Sequence, residues 1–473
     1  MLAFYTLLLV VLCAIAGLLL LSQANQSVVP AAGPQVSAFV KLRNNYVLVY
    51  ALMMAGDWLQ GPYVYALYEY YGYDVKDIGR LFIAGFGSSM VVGTVVGALA
   101  DKYGRKKAGL LYVFLYSLSC ATKHSSRYEI LMLGRLLGAL PPLCSSQPSS
   151  PGWSLSTSQR GLKHAGLETP SRRLCSLGNG LVAILAGLFA NFLVESLSLG
   201  PVAPFDASAA VLLAGGAVIW LTWPENYGDR SGAGGLVSQF RMAAAAVSSD
   251  QRIALLGAEQ SLFEASMYTF VFLWTPALSP NGEKIPHGLI FACFMTASMV
   301  GSALSATLMK RGRVESYMKF VFAASAAALA VPFFVAFFIG EMSAAEKAAA
   351  KAAGDVGLSG SGKIQLIAFC VFEVLVGVFW PSMMTMRSAY IPEELRSTIL
   401  NTFRVPLNFF VCVILYNVQM FSLSAMFALC SAFLVAATLC QMQLEKISMA
   451  PVVKGMPESE SFMGRDPSRS TEL

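Results

Sequence analysis

A short basic turn, GALADKYGRKKAG from Gly97 to Gly109, lies between two apolar stretches at 78–100 and 107–122, each close to the length needed to cross a bilayer. A soluble fold has no use for that arrangement. A membrane helix needs about 20 predominantly apolar residues to cross a hydrocarbon core of roughly 30 Å. Runs of this kind recur at 2–21, 46–69, 78–100, 107–122, 128–140, 177–196, 206–223, 253–276, 287–309, 317–340, 364–386, 397–417 and 423–442. Of 473 residues, 56% are hydrophobic and only 13% charged, more apolar surface than a soluble core of ordinary size buries. Alternating ten-residue strands are absent, which disfavours a barrel. The sequence therefore predicts an all-α polytopic membrane protein with a leading helix followed by twelve spans.

Orientation follows from the connecting loops, because cytoplasmic loops carry the excess of Lys and Arg. With the twelve spans after the first numbered in order, the loops after even spans hold Lys102, Arg105, Lys106, Lys107, Arg160, Lys163, Arg172, Arg173, Arg230, Arg241, Arg252, Lys310, Arg311, Arg313, Arg387 and Arg396. The two tails add six more, giving 22 cations on that face against 7 on the other. The 22-cation face is therefore cytoplasmic. The leading run would then leave the N-terminus outside. A cleaved signal peptide is the rival, but it lacks a basic start and would put Lys41 and Arg43 on the wrong side. The net charge of +6 follows from the basic inner face, so no nucleic-acid partner is implied. Nine scattered cysteines and three histidines show no ligand spacing, so neither a metal nor a cofactor is expected. No nucleophile and base pair or phosphate loop marks an enzyme.

The spans divide into two bundles of six, 46–223 and 253–442, joined by a cytoplasmic linker at 224–252. They are preceded by the leading helix within 1–23 and followed by a tail at 443–473. Repeated halves of this kind are a common transporter plan. A faint echo links them: Asp57 precedes Tyr63-Val64-Tyr65 by the same spacing as Glu264 precedes Phe270-Val271-Phe272.

Charges inside the runs carry the functional signal, since an ionisable group at membrane depth costs at least about 2.5–3.5 kcal/mol and usually marks a pathway or a partner. Five such residues are Asp57, Arg135, Glu264, Glu373 and Arg404. Two cations and three acids suit an anionic solute, with a carboxylate available for proton coupling. The plainer alternative is that both arginines pair with these acids and lock the bundle. Pro62, Pro381 and Pro406 are candidate gates or static kinks. Trp58, Tyr63, Trp380 and Asn408 are placed to line a cavity.

The pattern Gly97-x-x-x-Asp101-x-x-Gly104-Arg105-Lys106 resembles the loop 2–3 signature of the major facilitator superfamily, and it stands where that superfamily carries it. GDWLQGPYVYALY (56–68), SLFEASMYTFVFLWTP (261–276), FWPSM (379–383) and NTFRVPLN (401–408) resemble its eukaryotic molybdate-anion transporter branch, as do LGPVAPFDA (199–207) and WPENYGDR (223–230). The resemblance implies the major facilitator fold and import of molybdate by alternating access. It also implies a gating latch through Asp101 and Arg105, translocation residues at the five intramembrane charges, and a place in the cell membrane, with an endomembrane as the alternative. The solute would be a doubly charged tetrahedral oxyanion, which Arg can hold through a fork of donors. Sulfate or another small anion is the alternative solute, and a transporter-like sensor that moves nothing is the alternative role.

Residues 139–176 depart from that family, with nine Ser and five Pro where the rest of span 4 is needed. The apolar part of span 4, 128–140, is too short to cross about 30 Å at 1.5 Å per residue. A frame-shifted exon or retained intron would account for the segment, with an isoform carrying a broken span as the alternative. The similarity resumes at Leu177-Gly178-Asn179-Gly180.

Overall fold

The computed structural model describes residues 2–24, 34–138, 168–225, 236–280, 285–339, 358–392 and 395–449, without the side chains of 2, 23–24, 34–42, 91–103, 168–177, 236–237, 239–240, 339 and 397. The regular elements among the described residues are all helices, with no strand. The leading helix is α1 (Leu2–Ala24). The N-terminal half holds α2 (Pro34–Gln60), a 3₁₀ turn (Gly61–Tyr63) and α3 (Val64–Tyr70), which together make span 1. It continues with α4 (Val75–Tyr103), α5 (Arg105–Ala121), α6 (Tyr128–Leu137), α7 (Glu168–Asn191) and α8 (Ala203–Thr222). After α9 (Leu236–Ser249), the C-terminal half runs α10 (Gln251–Leu278), α11 (His287–Arg311), α12 (Val314–Ile339), α13 (Gly360–Tyr390), α14 (Arg396–Tyr416) and α15 (Leu423–Met449).

Lipid explains why these helices are apolar on their outer faces as well as their inner ones. Leu221, Phe337 and Phe338 are 80%, 72% and 77% exposed, positions that water would penalise and acyl chains favour. Among the described residues, eight helices are long and apolar enough by themselves to cross a membrane. In-span charges and polar residues dilute others, and α6 is shorter. Its 10 residues end at Leu137, about 15 Å of helix. Of the family-divergent segment, 139–167 lies outside the described residues and 168–176 belongs to α7.

Packing within each half is tight where glycine removes the side chain. A Cβ on Gly301 of α11 would collide with the Val374 carbonyl of α13, and one on Gly377 with the Ser298 carbonyl, so these two helices cross backbone to backbone. Pro62 ends α2 at the 3₁₀ turn, whereas Pro381 and Pro406 sit inside continuous helices.

The halves meet near the ends that hold the α3–α4 and α10–α11 turns, the side that the loop charges of the sequence assign to the outside. Rings from α2, α3 and α4 reach α10 and α11: Trp58 to Phe291 at 5.9 Å, Tyr65 to Phe272 at 5.5 Å, Phe82 to Phe272 at 5.2 Å and Phe86 to Tyr268 at 5.4 Å between centroids. Tyr63 packs on the His287 ring at 5.7 Å. Gly187 of α7 and Gly288 of α11 face each other so closely that a Cβ on Gly187 would lie 3.0 Å from the Gly288 carbonyl. Helix α1 lies against α11, where Cys293 Sγ contacts the Tyr5 carbonyl at 3.7 Å, while Lys363 of α13 rests 5.6 Å above the Phe4 ring. The start of α1 thus stands beside the outer ends of α11 and α13.

Candidate functional site

Asp57 lies near the end of α2, where a bare carboxylate among apolar helices would be costly. It accepts a hydrogen bond from the Tyr116 hydroxyl of α5 at 2.5 Å. One residue on, Trp58 donates its indole N–H to Asn179 Oδ1 of α7 at 2.9 Å, so this stretch ties three helices of the N-terminal half. Tyr63 is 2% exposed.

In the C-terminal half, Glu264 is buried halfway along α10 and meets Arg387 of α13, whose Nη2 lies 3.4 Å from its Oε1. Arg404, two turns into α14, is exposed and lies within electrostatic reach of Glu264. Tyr268, one turn beyond Glu264, lies within electrostatic reach of Glu264, Arg404 and Asp57 together. Charges from both halves thus lie within electrostatic reach of Tyr268, while the direct contacts are Glu264 with Arg387 and Asp57 with Tyr116.

The other expected residues stand apart. Arg135 on α6 makes no ion pair among the described residues; its guanidinium carbon lies 4.2 Å from the Phe82 ring centre and 5.4 Å from that of Tyr68. Glu373 is buried on α13 beside Cys370. Trp380 packs its ring 5.4 Å from Phe379. Asn408 is buried and turns its amide back to the Arg404 carbonyl at 2.9 Å, which supports the helix around Pro406 rather than offering that donor to a cavity. The acid partner of the cluster is taken by Arg387, a residue the apolar pattern assigns to a loop because its run ends at 386. Tyr116, Tyr268 and Lys123 carried no sequence signal, since tyrosines crowd these spans and Lys123 reads as a loop cation. Glu259, fully buried with neither carboxylate oxygen hydrogen-bonded, was likewise masked by its position near the start of the run.

The basic turn itself has a local explanation. Gly104 adopts φ +109°, open to glycine, and a Cβ there would strike the Glu225 carboxylate. That carboxylate accepts the backbone N–H of Lys106 at 3.0 Å, placing negative charge on the N-terminus of α5, and the Lys106 ammonium donates to the Trp220 carbonyl at 2.8 Å. The signature turn is thus fastened to the end of α8. Arg105 opens α5, while the Asp101 side chain lies outside the described residues.

Comparison with known proteins agrees with this architecture. A family model described as sugar transporters of 12 TM matches residues 4–360. A molybdate-anion transporter of Xenopus laevis is 32% identical over 421 residues, covering 86% of each chain. The chain belongs to the molybdate-anion transporter family of major facilitators. As a member of that family it is a multi-pass membrane protein with the major facilitator fold. Solved structures agree on the fold: a D-xylose–proton symporter superposes with a TM-score of 0.63 at 10% identity, covering 85% of this chain and 97% of its own. A nucleoside transporter variant gives 0.60 at 14% identity, covering 85% and 99%.

Proposed function

We propose that this protein moves molybdate across the membrane by alternating access, with the anion passing Arg404. The observation that carries this reading is the position of Arg404: a guanidinium exposed within a span, set where residues of both halves converge on Tyr268. A guanidinium presents a planar fork of donors suited to an oxyanion, and the Glu264 carboxylate is already engaged by Arg387. Kinship to proteins named molybdate-anion transporters supplies the identity of the solute. Asp57 and Glu264 are the carboxylates through which proton coupling would run. Asp101 and Arg105 would form a cytoplasmic latch, made in one state and broken in the other.

The test is molybdate flux into proteoliposomes holding the purified chain, with and without an imposed pH gradient. Arg404→Ala is expected to abolish uptake while the protein still reaches the membrane. Uptake at the wild-type rate in that variant overturns the assignment. The brevity of α6 favours a second reading, a protein that binds the anion without moving it. Saturable molybdate binding without flux would establish that reading instead. Flux of sulfate with none of molybdate would reassign the solute.

A further inference from the structure

Lys123 lies in the 3₁₀ turn Thr122–His124, between α5 and α6 on the outer side, yet it is only 3% exposed. Its ammonium donates to the Tyr68 hydroxyl at 3.1 Å, and its carbonyl accepts from the Tyr71 hydroxyl at 2.5 Å, which holds the turn inward. Arg135 of α6 reaches the same ring: its guanidinium carbon and the Lys123 ammonium each lie 5.4 Å from the Tyr68 ring centre. Its Nε and Nη2 are buried and make no hydrogen bond within the protein. The two cations lie within electrostatic reach of one another.

Nearby carboxylates are committed elsewhere. Asp206 pairs with His124 at 2.7 Å, Asp77 with Arg80 at 3.2 Å, and Asp57 takes the Tyr116 hydroxyl. Two like charges brought together out of water are costly unless an opposite charge joins them. The aromatic faces of Tyr68 and Phe82 offset only part of that cost. Packing alone gives no reason for the pair, because apolar side chains of similar volume would fill the space at lower cost. The unpartnered polar groups here are donors, Arg135 Nε and Nη2 together with the remaining ammonium and phenol protons, because Tyr68 Oη is engaged by both Lys123 and Arg135.

The geometry points to a binding site for a doubly charged tetrahedral oxyanion, built by Lys123, Tyr68 and Arg135 in the outer part of the N-terminal half, in which Lys123 supplies the second positive charge. This rests on the oxyanion reading above and adds to it a basis for selecting by charge. Phe82 connects the site to the outer seam, because the same ring that carries Arg135 packs on Phe272 of the other half.

The experiment compares two tetrahedral anions of similar shape, molybdate with two charges and perrhenate with one, by equilibrium binding to the purified full-length protein. The wild type is expected to prefer molybdate by at least about tenfold, a floor set because one added charge pair away from bulk water is worth that much or more. Lys123→Gln should lower that preference by about tenfold while changing perrhenate affinity less, and Lys123→Arg should keep it. Arg135→Gln removes the other charge and should lower the preference in the same way if Lys123→Gln does not fold. A wild type that binds both anions without preference, or a preference unmoved in the glutamine variants, overturns the two-charge site. Failure of the wild type to bind either anion sinks the oxyanion reading itself, an outcome distinct from the first two.

Discussion

At the scale of single residues, Tyr116→Phe should leave the buried Asp57 carboxyl without its hydrogen bond, a loss of about 1–3 kcal/mol read as a lower melting temperature in detergent. Asp57 and Glu264 were legible as charges isolated in apolar runs, and their partners Tyr116 and Arg387 were not. A partner is chosen by which helices adjoin, and spacing along one chain does not carry that information. Lys123 gives a pH prediction. Burial lowers its pKa from the ordinary lysine value, the neighbouring Tyr68 opposes the shift and Arg135 adds to it. The ammonium is cationic below that lowered value and neutral above it, so molybdate affinity should fall as pH rises through the alkaline range. In Lys123→Arg, which stays charged, the affinity measured over the same range should hold.

At the scale of elements, the apolar runs placed the helices because a hydrocarbon solvent leaves little choice of backbone. Their ends were less legible. Helix α13 continues to Tyr390, four residues past the run, because Arg387 is neutralised by Glu264 and can stay inside. Helix α9 forms within the stretch read as a linker, where Ala243 is fully buried although most neighbouring positions are exposed. Asp250 caps the following helix, accepting the Arg252 backbone N–H at 2.8 Å. The Arg252 hydrogen bonds hold its carboxyl below the usual range. Its stabilising contribution is therefore present above the ordinary aspartate pKa and lost as pH falls through the lower, folded-state value. Asp250→Ala should cost about 1 kcal/mol in a denaturation measurement at neutral pH. The α11–α13 crossing is less tolerant. Gly377→Ala should destabilise by about 1–3 kcal/mol, since the added methyl meets a backbone carbonyl that cannot rotate away, and thermal unfolding of the variant reads this directly.

At the scale of the whole molecule, the two-halves plan was legible from the count and polarity of spans, but the way the halves close was not. Closure depends on rings from α2, α3 and α4 meeting α10 and α11, and on Gly187 facing Gly288. Gly288→Ala places a methyl against backbone of α7, including Asn191 N at 2.7 Å, so the outer seam should part. A cysteine at Phe291 in that background should then react faster with a membrane-impermeant thiol reagent than in the parent, and molybdate uptake should fall. An unchanged labelling rate would mean that the seam does not depend on this contact.

The attachment of α1 to α11 gives the molecule a built-in pointer. Anchored by Tyr5 at Cys293 and by Phe4 under Lys363, the leading helix is a passenger of the C-terminal half. Any rocking of that half carries this helix with it. A dye attached at Ala3 would report the turnover cycle as a change in distance from a second dye on the α3–α4 turn, leaving the transport path untouched.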